Sequence, residues 1–181
     1  MKFIFDFDDV LLDTAKRRTL HMYPRLEKAG VSLAAINEYY EKYRERKLFS
    51  MKQLIAHFSL PEEVYEELMK EIEDFRNDEL VEIIKKLGKE NCFIVSQGDE
   101  EFQLDKIKRT GVVPLFSEIV IVQETKKKAV EGICELYIDE EVVFIDDKIQ
   151  NFEDLDLKKY PNLKTILYDE KGLEKIKKLV S

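Results

Sequence analysis

The chain has 181 residues, a length that fits one domain of ordinary size or a core domain with a small insertion. Hydrophobic residues make up 44% and charged residues 38% of the sequence, a balance typical of compact globular proteins and not of disordered ones. The formal net charge of -8 argues against nucleic-acid binding, which depends on Lys and Arg side chains that neutralise phosphates.

The sequence also carries signals about the cellular compartment. Cys92 and Cys134 match neither a disulfide framework nor a metal-binding spacing. The first residues run directly into Asp6 without a secretory leader, and no run of about 18 apolar residues occurs. We therefore expect a cytoplasmic protein, a monomer or a homodimer, that has neither a membrane nor a nucleic acid as its partner.

Five short apolar runs predict the strands of a parallel sheet. They are rich in Ile, Val and Phe and show little alternation, as expected for strands that helices cover on both faces. These runs are Lys2 to Asp6, Asn91 to Ser96, Glu118 to Val122, Val142 to Asp146 and Lys164 to Tyr168.

Helical patterns alternate with the later strands. They span Glu100 to Arg109, Thr125 to Tyr137 and Glu170 to Val180. Thr125 is a candidate N-cap for the second of these helices, and Gly111 is a candidate terminator for the first. The alternation predicts an α/β fold with a doubly wound parallel sheet, a Rossmann-like core.

The segment between the first two predicted strands breaks this alternation. It contains amphipathic helical patterns and no strand candidate, with apolar positions such as Leu54, Ile55 and Phe58 on one face. We predict an α/β catalytic core formed by residues 1–13 and 79–181. Residues 14–78 are predicted to form a small, all-helical cap over one edge of the sheet.

Three carboxylates follow the first predicted strand within four residues. They belong to Asp6, Asp8 and Asp9. Like charges held this closely raise one another's pKa, so the arrangement requires a cation or a shared proton. In open α/β sheets, ligands bind at the carboxyl ends of the strands. The first strand therefore predicts a functional site at its carboxyl end.

A second acidic pair, Asp146 and Asp147, follows the fourth predicted strand in the same way. Carboxylate oxygens from two neighbouring strands, completed by water and phosphate oxygens, are the ligands that Mg²⁺ prefers. The alternative is that each acidic group only caps the helix that follows it. The coincidence of two such groups favours the metal site.

Two further residues could bind phosphate. Ser96 ends the second predicted strand, where its hydroxyl and nearby backbone N–H groups could hold phosphate oxygens, although a serine here is often only a turn residue. Lys126 lies at a predicted helix start and could neutralise phosphate charge. Lys127 or Lys128 could take its place if the helix begins elsewhere, and runs of lysine are usually solvated.

The order Asp-x-Asp, strand-Ser, Lys and strand-Asp-Asp resembles the haloacid dehalogenase-like (HAD) superfamily over essentially the whole chain, including the position of the insertion. The resemblance implies that Asp6 is a nucleophile that forms an aspartyl-phosphate. It implies that Asp8 is the general acid and base, and that Lys126 pairs with Asp6 and the phosphate.

The resemblance also implies the ligands of the cofactor, Mg²⁺. These would be the Asp6 carboxylate, the backbone carbonyl of Asp8 and Asp147, with Asp146 close by. Ser96 would bind a phosphoryl oxygen. Gln97, where the family often has Asn, is taken as a second substrate-binding residue. Asp9 stands where the family commonly has Gly, and its role stays open.

These features predict a Mg²⁺-dependent phosphatase that hydrolyses a small phosphorylated metabolite through an aspartyl-phosphate on Asp6. Asp8 favours phosphoryl transfer, because dehalogenation needs no acid at that position. Candidate substrates are sugar phosphates, phosphoglycolate and nucleoside monophosphates. The alternatives are a phosphomutase on the same site and a non-catalytic phosphate-binding or signalling module, of the HAD or the receiver type. A receiver would carry its phospho-acceptor on the third strand.

Several aromatic and histidine residues in the predicted cap are interpreted as packing residues. His21 and His57 have no second ligand at metal spacing, and Tyr39, Tyr40 and Tyr43 have the spacing of a helix face. None of them is predicted to belong to the site.

Overall fold

A computed structural model of the chain describes residues 1–44 and 49–180, without the side chains of residues 43 and 44. Its sheet has five parallel strands in the order β3-β2-β1-β4-β5. The strands are β1 (Lys2–Phe5), β2 (Cys92–Gln97), β3 (Glu118–Val122), β4 (Val142–Asp146) and β5 (Leu163–Leu167). The fold is the predicted Rossmann-like α/β fold.

Ten α-helices surround the strands in the described part of the chain. Those between β1 and β2 are α1 (Thr14–Arg17), α2 (Tyr23–Lys28), α3 (Leu33–Arg44), α4 (Met51–His57), α5 (Glu63–Met69) and α6 (Asp78–Leu87). The later helices are α7 (Glu100–Arg109), α8 (Lys127–Leu136), α9 (Gln150–Glu153) and α10 (Gly172–Val180). A π-helical turn covers Arg18–Met22, and short 3-10 turns cover Ile72–Phe75, Lys89–Asn91 and Val113–Leu115.

The predicted elements occur with small shifts at their ends. The bounds of β3, β4 and α7 coincide with the prediction, and Gly111 follows α7 with a φ of 71°, as expected for a helix terminator. The helix predicted from Thr125 begins at Lys127 instead. The Thr125 hydroxyl still accepts a hydrogen bond from the Lys127 N–H, at 3.1 Å.

Helices cover both faces of the sheet, and neighbouring residues of each strand point to opposite faces. Phe3 and Phe5 of β1 pack on one face with the apolar sides of α6, α7 and α10. Ile4 packs on the other face with α8. In the register of the sheet, Phe5 lies beside Ile94 of β2 and Ile145 of β4. This places the residues that follow β1 and β4 next to each other.

The sheet order also separates this fold from the receiver type. Here β1 lies between β2 and β4, whereas in flavodoxin-like receiver sheets the first strand lies between the second and the third. Asp6, the candidate nucleophile, directly follows the central strand β1 and not β3.

Two neighbouring chain segments connect the helices between β1 and α6 to the sheet. The N–H of Asp13 donates to the Phe75 carbonyl at 2.9 Å, and the N–H of Asn77 donates to the Leu11 carbonyl at 2.8 Å. Leu12 and Arg76 form an antiparallel bridge between these bonds. The chain therefore crosses from the sheet to these helices and back at neighbouring positions, which lie close to the predicted boundaries at residues 13 and 78.

The helices α1 to α5, which we call the inserted helices, also contact α7 directly. The Tyr65 hydroxyl donates to Asp105 at 2.6 Å, and the Arg109 guanidinium donates two hydrogen bonds of 2.9 Å to Glu66. Tyr39 and His21 are buried, while the side chain of Tyr43 lies outside the described residues. In the described ranges, no helix has the length and apolar character needed to cross a membrane.

Candidate active site

Asp6 follows β1 at the centre of the carboxyl edge of the sheet. It is 3% exposed, and its N–H donates to the Ile145 carbonyl at 2.9 Å. Its Oδ1 accepts a hydrogen bond from the Phe7 N–H at 2.6 Å and forms an ion pair with Lys126 Nζ at 2.8 Å. Burial raises the pKa of Asp6 to about 7; Lys126 lowers this pKa, and Asp146 raises it. Asp6 is therefore a buried carboxylate whose charge needs a cation.

Lys126 supplies one positive charge to this edge of the sheet. It is 2% exposed, and its ammonium lies 2.8 Å from Asp6 Oδ1 and 2.6 Å from Asp146 Oδ2. Lys127, in contrast, is partly exposed and donates to the Asp154 carbonyl at 2.5 Å. The structure thus brings Lys126, the first of the three consecutive lysines, into contact with the candidate nucleophile.

Asp146 is the last residue of β4 and Asp147 follows it, but the two differ in their surroundings. Asp146 is fully buried, and its two oxygens accept hydrogen bonds from Lys126, the Lys148 N–H and the Asn151 amide at 2.6 to 2.9 Å. Asp147 Oδ1 is buried and has no hydrogen-bond partner among the described residues. Burial also raises the pKa of Asp147. The Lys148 ammonium lies 3.7 Å from Asp147 Oδ1, too far for a hydrogen bond, so this oxygen can still bind a ligand.

The arrangement fits a divalent cation. One carboxylate oxygen each from Asp6, Asp146 and Asp147 lies within 4.8 Å of the other two. All of these donors are oxygens, as Mg²⁺ prefers, and a buried carboxylate oxygen that accepts no hydrogen bond, such as Asp147 Oδ1, calls for a closer positive partner than Lys148. The oxygens of Asp146 are already engaged with protein donors. Asp6 and Asp147 consequently have more capacity for a metal ion than Asp146.

Asp8 is held by three partners that sequence reasoning missed. Lys106 Nζ lies 2.5 and 2.7 Å from its two oxygens, Gln103 Nε2 donates at 2.9 Å and the Thr14 hydroxyl donates at 2.7 Å. Burial alone would raise the pKa of Asp8, but Lys106 and these hydrogen bonds lower it to about 2. Asp8 is therefore held as a carboxylate beside Asp6.

Two polar residues on the buried face of α7 provide this support. Gln103 and Lys106 lie beside the apolar Phe102 and Ile107 on that face, and all four are buried. Polar side chains at core positions of a helix usually have a specific partner, so this pattern was the signal available in the sequence. Gly98 is also required, because a Cβ at this position would lie 2.6 Å from Gln103 Nε2.

Ser96 and Gln97 occupy different positions relative to the site. Ser96 is 1% exposed, and its hydroxyl has no hydrogen-bond partner among the described residues. Such an unpaired buried hydroxyl fits a group that binds a ligand. The Gln97 amide donates to the Glu124 carbonyl instead, although the side chain still lines the cleft beside Asp6.

Asp9 has a local structural role that explains its position in the motif. Its φ of 58° is in the left-handed region, where Gly is usual and Asp is among the better tolerated residues. Its carboxylate accepts a hydrogen bond of 3.0 Å from the Ala15 N–H. Asp9 therefore shapes the turn between β1 and α1.

Two neighbouring cavities adjoin these residues. A cleft of about 940 Å³ contains Asp6, Asp8, Lys126 and Asn151 in its lining. A smaller pocket of about 260 Å³ lies between the inserted helices and α7; we call it the inner pocket. Three residues line both cavities: Asp8, Gln97 and Lys148. The two cavities therefore lie side by side, with Asp8 in the wall that they share.

Replacing Lys106 by Met is expected to destabilise the protein by about 3 kcal/mol, because it leaves the Asp8 carboxylate without its cation in a mostly buried position. Urea denaturation measures the change. Adding Asp8→Asn to Lys106→Met should recover part of the loss, because the uncompensated charge is then removed. Lys108→Met, on the exposed side of α7, is the control and should have little effect. If the double variant lost as much stability as the Lys106→Met and Asp8→Asn single variants lose together, the two residues would not be energetically coupled.

Comparisons with known proteins agree with this fold. Over residues 3–152 the chain matches the sequence family described as haloacid dehalogenase-like hydrolase. The chain belongs to this family of hydrolases. A comparison with curated protein sequences finds no match.

Solved structures of this family have the same fold at low sequence identity. The HAD-hydrolase YfnB from Bacillus subtilis, solved with bound magnesium, is 16% identical over 99% of this chain and 98% of its own, with a TM-score of 0.60. A haloacid dehalogenase-like hydrolase from Burkholderia xenovorans is 18% identical over 98% and 94% of the two chains, with a TM-score of 0.58. A dehalogenase is 14% identical over 94% and 85%, with a TM-score of 0.57.

Proposed function

We propose that the protein is a Mg²⁺-dependent phosphatase that hydrolyses a small phosphomonoester through an aspartyl-phosphate on Asp6. The observation that carries the proposal is the buried Asp6 carboxylate, paired with Lys126 and lying beside an Asp147 oxygen that accepts no hydrogen bond from the described residues. A magnesium-bound relative with this fold adds support for the metal. HAD-family membership alone leaves both phosphoryl transfer and dehalogenation open.

In the first step, an oxygen of Asp6 attacks phosphorus. The bond between phosphorus and the leaving oxygen breaks, which gives the aspartyl-phosphate and an alcohol. Phe7 and Lys126 both contact Oδ1, so Oδ2 is the oxygen oriented for attack. Lys126 is close enough to neutralise negative charge as it develops on the phosphoryl group.

In the second step, water attacks the phosphorus of the aspartyl-phosphate, releases inorganic phosphate and regenerates Asp6. Asp8 is suited to accept the proton of this water, because Lys106 and its other partners keep it ionised. The acid form needed in the first step would arise when the phosphate enters, because a nearby negative charge raises a carboxyl pKa. Asp8 would then protonate the leaving oxygen.

Asp6, Asp147 and the backbone carbonyl of Asp8 would hold the magnesium ion. When bound, Mg²⁺ supplies positive charge that screens the phosphoryl oxygens from the carboxylates. Asp146 would act mainly through its bonds to Lys126 and Asn151, which orient this edge of the site. Ser96 would donate its free hydroxyl to a phosphoryl oxygen.

We also propose that residues 14–78 act as a cap over a core made of residues 1–13 and 79–181. Residues 45–48 of this segment lie outside the described part of the chain. Support comes from the paired crossing at Leu12 and Arg76 and from the inner pocket, which has walls from both parts. A cap in this position would exclude water while the phosphoryl group transfers.

The proposal is tested by phosphate release from a panel of small phosphomonoesters with Mg²⁺ or with EDTA. A haloacid assayed for halide release tests the dehalogenase alternative in parallel. Metal-dependent phosphate release without halide release supports the phosphatase. Isomerised product that requires a bisphosphate primer would identify a mutase, and magnesium binding without any turnover would identify a non-catalytic phosphate-binding module.

Magnesium should stabilise the protein more at pH 8 than at pH 5. Asp6 has a folded-state pKa of about 7 against an ordinary value of 3.8, so the folded protein retains this proton more strongly than the unfolded chain. In EDTA, the contribution of Asp6 to stability therefore falls as the pH rises from about 4 to 7. Metal ligands must be deprotonated, so Mg²⁺ competes with the proton for Asp6. Mg²⁺ therefore binds more tightly, and stabilises the protein more, at the higher pH.

Thermal melts at both pH values, with EDTA or MgCl₂, measure this effect. Asp147→Asn is the matched variant: it should melt at a higher temperature than the wild type in EDTA, because it removes one charge from a crowded group of carboxylates and loses only a distant contact of 3.7 Å with Lys148. It should also lose most of the magnesium effect. An equal magnesium shift at both pH values, or an unchanged shift in the variant, would contradict the proposed ligands.

A further inference from the structure

The inner pocket is a small chamber with apolar walls and an excess of basic groups. Its apolar walls come from Met22, Tyr40, Phe49 and Phe102, and its charged lining comes from Asp8, Asp9, Arg17, Arg18, Lys106 and Lys148. At about 260 Å³ it has room for a small organic group. Tyr40, interpreted from the sequence as a packing residue, contributes to this wall.

Most of the charges in the inner pocket already have partners. Lys106 is engaged by Asp8, and Lys148 lies 3.7 Å from Asp147 Oδ1. Asp9 accepts a backbone hydrogen bond at the rim. Arg18 is exposed to solvent. Arg17 is the buried basic group of this lining that forms no ion pair among the described residues.

Arg17 is a buried guanidinium without a carboxylate partner. It is 3% exposed, and no acidic oxygen among the described residues lies within ion-pair distance of it. Its Nη2 donates to the Leu68 carbonyl at 2.6 Å and contacts the Met69 sulfur at 3.5 Å, while its Nε has no hydrogen-bond partner. Burying an unpaired cation is costly, so such a group usually serves an anion.

The position of Arg17 connects it to the reaction site. Thr14, at the start of the helix that carries Arg17, donates its hydroxyl to Asp8, and both Asp8 and Arg17 line the inner pocket. The π-helical turn that begins at Arg18 follows immediately, and such turns occur frequently at functional sites. A molecule whose leaving oxygen lies at Asp8 therefore extends toward Arg17.

We propose that Arg17 binds a second anionic group of the substrate, a carboxylate or a second phosphate, on the part of the molecule that departs with the leaving oxygen. A guanidinium offers two parallel N–H donors to either anion, a geometry that an ammonium lacks. This inference rests on the proposed phosphatase function and narrows its substrate class to short, doubly anionic phosphomonoesters. Neutral sugar phosphates and nucleoside monophosphates are disfavoured.

Arg17→Met tests the proposal through three substrates. Phosphoglycolate carries a carboxylate, ethylene glycol bisphosphate carries a second phosphate, and hydroxyethyl phosphate is the neutral match. The variant should lower kcat/KM roughly 100-fold for at least one of the two anionic substrates and change it little for the neutral one. The substrate whose kcat/KM falls shows whether Arg17 prefers a carboxylate or a second phosphate. An equal loss on all three substrates would indicate a structural role and overturn the proposal, as would no loss at all.

Arg25→Met is the matched control. Arg25 belongs to the same inserted helices but is paired with Glu71 at 2.7 Å, and it is not among the residues that line the inner pocket. Its removal should leave the ratio of kcat/KM between anionic and neutral substrates unchanged. If Arg25→Met changed this ratio as much as Arg17→Met does, the change would be due to long-range electrostatics, and the proposed direct contact between Arg17 and the substrate would be wrong.

A binding measurement separates this proposal from the phosphatase proposal and does not depend on a stable variant. Calorimetry with the wild-type protein compares phosphonoacetate and ethylenediphosphonate, which carry a second anion, with methylphosphonate, which lacks one. We expect one of the first two to bind at least about 10-fold more tightly. Without that preference the Arg17 proposal is wrong, even if phosphate is released. If the preference is found but no substrate is turned over, the phosphatase proposal is wrong and the proposed binding of a second anion by Arg17 is supported.

Discussion

Asp6→Asn protein should release phosphate at least about 10³-fold more slowly than the wild type, because an amide oxygen cannot form the aspartyl-phosphate. The fold should survive the change. Asn has nearly the same shape, Lys126 keeps Asp146 as its partner, and the raised pKa of Asp6 indicates that its charge is costly to bury. Steady-state phosphate release with the best substrate of the panel measures the effect, and a thermal melt confirms folding.

Asp13→Asn is the control for this substitution. Asp13 caps α1 by accepting a hydrogen bond from the Lys16 N–H at 2.9 Å, and Asn is an equally good N-cap. Its side chain is exposed. The control should therefore retain wild-type turnover. Residual turnover near the wild-type level in a folded Asp6→Asn protein would exclude Asp6 as the nucleophile.

Lys126→Met should have the second-largest effect, on stability and turnover together. The ammonium of Lys126 lies between two buried carboxylates, Asp6 and Asp146, and its removal leaves both without that cation. Breaking a buried ion pair from one side costs about 3 to 5 kcal/mol, which urea denaturation would detect. Turnover should fall at least about 100-fold, because charge that develops on the phosphoryl group loses its fixed partner.

Lys127→Met separates this role from a general effect of removing a lysine. Lys127 is the next residue, but its ammonium contacts the Asp154 carbonyl at the surface. The variant should stay within about 0.5 kcal/mol of the wild type, as is usual for surface substitutions. Similar losses in the two variants would show that the position of Lys126 between the carboxylates has no special importance.

Much of the fold could be predicted because the strands carry their own signal. Parallel strands buried on both faces form short runs of Ile, Val and Phe, and β3 and β4 were delimited correctly on that basis. The juxtaposition of Asp6 with Asp146 and Asp147 followed from a general property of parallel sheets, since neighbouring strands end at the same edge. These inferences needed no knowledge of individual side-chain contacts.

The support of Asp8 could not be derived in this way. Lys106 is 98 residues away along the chain, and the helical pattern of α7 shows only that a polar residue lies on a buried face. Its partner depends on how α7 packs against the turn after β1. Lys126 illustrates the same limit, because the choice among three consecutive lysines depends on where α8 begins, which shifts by two residues from the prediction.

Arg17 is the clearest example of a feature that only the packing reveals. In the sequence it is one of several basic residues in a charged helical segment, where a solvated position would be the ordinary expectation. Its burial against Leu68 and Met69 depends on the arrangement of several inserted helices. The specificity proposed for the inner pocket therefore follows from tertiary contacts and not from a motif.

The central claim is that phosphate passes through a covalent bond to Asp6. Rapid mixing of the Mg²⁺-loaded wild-type protein with its best substrate, acid quenching within one turnover and mass spectrometry of the digested protein test it most directly. The expected result is one added phosphoryl group on the peptide that contains Asp6, absent from the Asp6→Asn protein and lost when the quench is delayed. Phosphate release without a phosphorylated peptide at any quench time, or phosphorylation of a different residue, would contradict the mechanism.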